Sequence, residues 1–300
     1  MTELSWGILL VAYLFVGGMA GGSYLVAALA DLFGKGRYRV LSKSGTYISL
    51  LLILVGLVLL VLDLGRFEVD PLSPLNAYIN FPNSIMSIGT WIVTGFMMVS
   101  LLTSILWFFN GSSIIRKLLE IVGIALGGST ATYTGLLLAF SRGRALWNTP
   151  FLPWLFIVSG VLTGLALTFL FIPIVAKLIP RFFEDFKELF DNRKEFVKML
   201  RIGQRYLVSI IAIELVLVVL ELVLTNIYSE MQHAGLSMEF IVYLIAGLIF
   251  PLGVGVSIEN LKFLKNERTA LIISVVGLLS ILFGGFLLRY ILLTAGQVVG

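Results

Sequence analysis

Eight long apolar stretches follow one another along the chain, at about residues 6–31, 45–64, 85–109, 118–140, 152–176, 206–226, 238–258 and 269–294. Each is about as long as an α-helix must be to cross the ~30 Å hydrocarbon core of a bilayer. Short segments between them hold nearly all of the charge. The pattern predicts an all-α polytopic membrane protein of eight transmembrane helices. The first stretch reads as a span and not as a cleavable leader. Met1–Trp6 carries Glu3 and no Lys or Arg, and the apolar run after it is too long.

Charge gives these spans a direction. Of the 21 Lys and Arg residues, all but Arg66, Arg142, Arg144 and Arg289 fall in the loops after spans one, three, five and seven. Cytoplasmic loops carry the excess of Lys and Arg, so both termini are expected on the outer side of the cytoplasmic membrane. An even number of spans requires the same. The net charge of +4 reflects this excess facing anionic lipid and needs no nucleic acid to explain it. Phe182, Phe186, Leu189, Phe190, Val197 and Leu200 recur at helical spacing among the charges of segment 180–202. That segment is expected to lie on the inner surface as an amphipathic helix.

A weak repeat divides the sequence into units 1–150 and 151–300. Gly18-Met19-Ala20-Gly21-Gly22 in span one is matched by Gly160-Val161-Leu162-Thr163-Gly164 in span five. Val61-Leu62-Asp63-Leu64 is matched by Val219-Leu220-Glu221-Leu222, and Gly127-Gly128 by Gly284-Gly285. Small residues four apart let helix backbones approach closely in lipid. Four spans per unit make this a parallel repeat: two four-helix sets running the same way.

Composition narrows the chemistry. Hydrophobic residues make up 59% and charged ones 13%, with mean hydropathy +1.03, too few charges to clothe a soluble domain of this size. The sequence has no cysteine, which excludes disulfides and Cys-ligated iron–sulfur clusters. With His233 as the one histidine, bis-histidine haem is excluded as well, and zinc or copper sites are disfavoured. Any redox role must rest on a diffusible lipid cofactor and on clusters carried by partner subunits.

Charged residues inside spans are costly and usually face a bundle interior. Asp63 and Arg66, three apart at the end of span two, are either a carboxylate–guanidinium pair beside a quinol pocket or a helix-ending pair favoured by the helix dipole. Tyr133 in span four could hydrogen-bond a quinone carbonyl, with Gly135 leaving room for the ring, or simply bond a neighbouring helix. Glu214 and Glu221 share one face of span six. They suggest a proton path or partners for Arg289, with an Arg289–Glu221 pair the blander arrangement. Arg142 and Arg144 precede Trp147-Asn148-Thr149-Pro150 on the outer side. That loop suits docking a partner, covering a pocket, or anchoring Trp147 in the outer leaflet. His233 and Glu230 occupy an outer loop, where the histidine is expected to be solvated.

Several stretches taken together resemble a known family. They are Trp6 with Tyr13-Leu14-Phe15-Val16-Gly17-Gly18-Met19-Ala20-Gly21-Gly22, Asp63-Leu64-Gly65-Arg66, Ser84 to Trp91 with Gly89-Thr90-Trp91, and Tyr133-Thr134-Gly135. Arg144-Ala145-Leu146-Trp147-Asn148-Thr149-Pro150 and Gly284-Gly285-Phe286-Leu287-Leu288-Arg289-Tyr290 complete the set. In this order, from the first span to the last, they resemble the NrfD / polysulfide reductase membrane subunit family. The resemblance implies a haem-free anchor that exchanges electrons between menaquinol, or another quinol, and a ferredoxin-like iron–sulfur subunit on the outer face. That subunit would serve a molybdopterin catalytic subunit, of the type that reduces polysulfide, thiosulfate or tetrathionate.

On this resemblance the quinol site lies at the outer ends of spans one to four, among Tyr13, Asp63, Arg66, Trp91 and Tyr133. Tyr133 would orient the headgroup, Asp63 or water beside it would take protons, and Arg66 would keep Asp63 ionised. Arg144 would help to dock the iron–sulfur partner. Some members use Asn and His near the first span; this protein has neither there, which leaves more of the role to Tyr133 and Asp63. Protons would leave on the same side, or reach the site through Glu214, Glu221 and Arg289. The competing reading is a secondary transporter or proton-conducting module without quinone, for which parallel repeats and helices broken near mid-membrane are typical. Only Pro251, with Pro173 near a span end, points that way.

Overall fold

The structure is a computed structural model that describes residues 7–63, 75–79, 81–140, 146–178, 193–224, 227–259 and 267–298. Among the described residues it is helical, with no strand. The helices are α1 (Ile8–Gly34), α2 (Arg39–Asp63), the short α3 (Asn76–Ile79), α4 (Ile85–Phe108), α5 (Ser113–Ala139) and α6 (Leu152–Leu178). After them come α7 (Arg193–Leu224), the short α8 (Ile227–His233), α9 (Ser237–Val242), a π-turn at Tyr243–Ile249, α10 (Phe250–Glu259) and α11 (Glu267–Val298). Among the described residues, eight helical segments are long and apolar enough to span a bilayer, α9, the π-turn and α10 acting as one. Their bounds lie close to the eight apolar stretches of the sequence. Most of the amphipathic segment expected at 180–202 lies outside the described residues.

Helix α1 is the hub, packing against α2, α5, α6 and α11. Its glycines explain why. A Cβ at Gly21 would stand 2.3 Å from the Gly127 carbonyl oxygen of α5, and one at Gly22 would stand 2.0 Å from the Gly160 oxygen of α6. Only backbones without side chains come this close, as the spacing of small residues predicts. Gly160 meets Gly18 and Gly22, while Gly164 meets Gly22 and Ser23, so α1 and α6 run parallel. Gly135 serves the α5–α6 seam: a Cβ there would meet Pro153 Cα at 2.8 Å. The space beside Gly135 is therefore filled by α6 and does not admit a ring, contrary to the expectation from sequence.

Helix α7 shows how side chains sort between interior and lipid. Leu207, Ile211, Glu214, Val218 and Glu221, at spacings of three and four, are buried, whereas Val216, Val219 and Val223 are exposed. The inward stripe therefore contains both carboxylates. In the seventh span, Pro251 has no N–H for the helical ladder, and the ladder re-registers just before it. The Phe250 N–H reaches back five residues to the Ile245 carbonyl. The Ala246 carbonyl accepts the Ser280 hydroxyl of α11. The span stays continuous, with a π-turn in place of a break.

Candidate functional site

Two polar groups meet α1 at the same depth, on different sides of it. The first lies toward the face at which α1 begins and α2 ends. Tyr13 of α1 and Tyr133 of α5 are both buried. Tyr133 lies flat against a missing side chain: a Cβ on Gly89 of α4 would stand 1.9 Å from its Cζ and 2.3 Å from its hydroxyl oxygen. Gly56 of α2 lies against the Tyr13 ring, where an added Cβ would be in ordinary contact at 3.8 Å. Asp63, half-buried at the end of α2, shares that helix face two turns further on, about 10 Å nearer the surface. The result is a seam between α1, α2, α4 and α5 that holds two buried phenols, with a carboxylate two turns outward along α2.

Trp91 stands apart from this seam. It lies two residues beyond Gly89, about 200° around α4, and is half exposed. Its ring packs edge-on against Tyr78, with centroids 5.3 Å apart, and against Phe81. The Tyr78 hydroxyl in turn bonds Thr94 at 2.7 Å. Arg66 and Arg144 lie outside the described residues, and with them the Asp63–Arg66 pair and the docking role expected of Arg144.

The second group belongs to the last four spans. Arg289 of α11 is fully buried, and its Nη1 donates to the Gly285 carbonyl at 2.7 Å and the Ser159 hydroxyl at 3.2 Å. Its Nε donates to the Leu14 carbonyl of α1 at 3.3 Å, one residue from Tyr13. The guanidinium also lies 5.5 Å from the Phe15 ring and 5.3 Å from that of Phe156, within cation–π range. Gly18 makes room for it, since a Cβ there would come within 2.9 Å of Nη2. Ser159 also approaches Glu214, whose Oε1 accepts the Tyr243 hydroxyl at 3.0 Å. Tyr243 opens the π-turn, a distortion that often accompanies functional side chains.

Glu221 does not pair with Arg289. Its Oε1 accepts the Thr149 hydroxyl at 2.5 Å. Seven residues separate Glu214 from Glu221, a rise of about 10 Å that places the two carboxylates at different depths. Arg289 connects with the inner one through Ser159, which both approach. Trp147 is likewise not a membrane anchor. It is buried, donates to the Leu292 carbonyl at 2.8 Å, and fills the space against Gly296. His233 is exposed, as expected, with its ring nitrogen 2.6 Å from the Ser229 carbonyl.

A third polar cluster gave no warning as a group. At the far end of α1, Asp31 accepts two bonds from Arg116 of α5, at 2.8 and 3.0 Å. The Arg116 guanidinium stacks 3.8 Å above Trp107. Glu120, one turn on, is 1% exposed and 3.6 Å from Arg116. A signal for Glu120 existed, because it stands two residues inside an apolar stretch. Tyr243 and Ser159 carried none, being ordinary residues of apolar helices. No group of acidic, His or Cys residues among the described residues could hold a metal ion.

Comparison with known proteins joins this architecture to one family. The profile of the family described as "Polysulphide reductase, NrfD" matches residues 1–300. The "Protein NrfD homolog" of Haemophilus influenzae is 26% identical over 330 residues, covering 98% of this protein and 95% of its own length. The C subunit of the polysulfide reductase of Wolinella succinogenes is 30% identical over 183 residues, 54% of this protein and 56% of that one. The "Hdr-like menaquinol oxidoreductase integral membrane subunit" of Archaeoglobus fulgidus is 25% identical over 170 residues, 55% of this protein and 41% of that one. The match thus spans about two-fifths to just over half of the last two and nearly all of the first. Matched over its whole length, the protein is a multi-pass membrane protein of the NrfD, polysulphide reductase, family.

Proposed function

We propose that a passage opens along the seam between α1, α2, α4 and α5, binds the headgroup of menaquinol and is where the quinol is oxidised. The carrying observation is the Tyr133 ring seated on Gly89 and the Tyr13 ring against Gly56, with Asp63 two turns outward of Gly56 on the same helix face. A quinol headgroup presents two oxygens; the Tyr133 hydroxyl can hydrogen-bond one of them, as donor or acceptor. Asp63, nearer the surface, accepts the protons released on oxidation and passes them to water on the same side. The relative from Archaeoglobus fulgidus, a menaquinol oxidoreductase subunit by name, supports the choice of quinol.

Electrons leave to a ferredoxin-like iron–sulfur subunit seated on the face where α1 begins, and from it to a molybdopterin catalytic subunit. Arg144 and Arg66 belong to that face by sequence. The same face is the outer one, since the loops of the opposite face hold most of the cations. Residues 1–150 and 151–300 form two parallel four-helix sets, a reading supported by the parallel seating of α1 on α6. Glu221 and Glu214 are the carboxylates of a proton route along α7, and Arg289, which bonds the Leu14 carbonyl next to Tyr13, joins that route to the proposed site.

The test is quinol-dependent reduction of the acceptor by the assembled complex. Asp63→Asn should lower turnover about 100-fold, as expected for loss of a positioned base. Tyr133→Phe should lower it about tenfold, the worth of one hydrogen bond. Full activity in both variants would remove the site from this passage.

A further inference from the structure

At the end of the bundle opposite the proposed quinol passage lies an open cavity of about 380 Å³. Its walls come from the end of α1, the start of α2 and the α4–α5 turn. Four cations line it, Lys35, Arg39, Arg116 and Lys117, against one carboxylate, Asp31. Arg116 is already committed: two of its N–H groups bond Asp31, and Trp107 covers its face. The Arg116–Asp31 pair is neutral overall and nearly buried, with exposures of 11% and 5%. That leaves Lys35, Arg39 and Lys117, all exposed, as the charge directed at whatever enters. The first turn of α5 adds no acidic residue, and the Ser112 hydroxyl does not cap it, so the positive end of that helix is also open.

The same ends of α1, α4 and α5 also present exposed apolar side chains, an apolar rim on this end of the bundle. Phe33 is 77% exposed, Phe109 66%, Ile114 71% and Leu118 60%. Phe33 precedes Lys35 by two residues, Phe109 adjoins Asn110 of the wall, and Ile114 and Leu118 flank Arg116 and Lys117 in sequence. A small inorganic anion would use the cations and leave this rim idle. A ligand with a phosphoryl head and hydrocarbon tails uses both.

We infer that this cavity is a binding site for the phosphoryl headgroup of an anionic phospholipid, whose acyl tails lie along the apolar rim. Lys35, Arg39 and Lys117 hold the phosphoryl oxygens, and Asp31 keeps Arg116 clamped on Trp107 so that the wall stays formed. Each exposed cation near an anionic membrane surface contributes on the order of 1 kcal/mol to lipid attraction, a factor of roughly five. Neither Tyr133 nor Asp63 takes part, so the lipid site stands independently of the quinol reading.

The experiment is native mass spectrometry of the detergent-purified full-length protein after exchange with phosphatidylglycerol, with phosphatidylcholine, or with inorganic phosphate. The wild type should retain phosphatidylglycerol over phosphatidylcholine, and millimolar inorganic phosphate should not displace it. The double variant Arg39→Gln, Lys117→Gln should lose roughly 25-fold in retention, and Lys35→Gln, at an exposed turn, roughly fivefold. Arg201→Gln, which removes an exposed cation outside the cavity, should behave as wild type. Should the double variant fold poorly, the single Lys35→Gln carries the same test. Retention unchanged in Lys35→Gln and in the folded double variant overturns the assignment. Displacement by inorganic phosphate overturns it too, because the site would then be one for a free anion.

Discussion

At the residue scale, the charged and aromatic side chains of the interior are held by atoms from distant parts of the sequence. Arg289 is the clearest case, because its donors serve α1, α6 and its own helix at once. Arg289→Met keeps the apolar stem but strips Ser159 and Leu14 of their donor and leaves Glu214 without its cation. Removing one side of a buried charge arrangement costs about 3–5 kcal/mol. A fall of that size in denaturant stability is expected in detergent, and Arg289→Lys should recover only part of it, since one ammonium cannot span the same three acceptors. Gly89→Ala tests the seat of Tyr133. The added methyl collides with the ring itself, so the phenol must move, at a cost of about 1–3 kcal/mol. Quinol turnover should fall at least as far as in Tyr133→Phe, and a Gly89→Ala enzyme of normal turnover would show that the ring position is irrelevant.

At the element scale, backbone contact between glycine-bearing helices sets the architecture. The α1–α6 seam has carbonyl oxygens where side chains would otherwise stand, so Gly22→Leu cannot be absorbed by a rotamer change. It should abolish accumulation of folded protein in the membrane, whereas Gly128→Ala, at a glycine with open space around it, should leave the yield unchanged. Equal yields of both would show that the seam is not required. The π-turn is the other element-level feature. Pro251 was readable as an interruption, but whether the helix would break, kink or re-register depended on what could satisfy the displaced carbonyls. Ser280 of α11 and the close approach of Gly247 to Gly284 decided for re-registration.

At the scale of the whole molecule, the proposed sidedness rests on the charge of the loops and can be measured directly. The sequence has no cysteine, so single substitutions at exposed loop positions report on their own. His233→Cys should react with a membrane-impermeant maleimide in intact cells, while Ser112→Cys should react only after lysis. The opposite pattern would turn the protein over and move the proposed partner face inside.

Span number, span bounds and charge asymmetry were legible in the sequence, because insertion into a bilayer depends on the hydropathy of each segment taken alone. The absence of cysteine and the lone histidine are likewise properties of the sequence, and so was the ordered set of motifs that carried the family. Which polar groups meet was not legible. Hydropathy does not set the rotation of a helix about its axis or its depth against a neighbour, and a few residues' difference in either changes the partner. Thus Glu214 and not Glu221 faces Arg289, Trp91 turns away from the Tyr133 seat, and the space beside Gly135 is filled by α6. Partners such as Arg289 and Leu14, 275 residues apart, meet only through packing of the whole bundle, and that packing alone decided them.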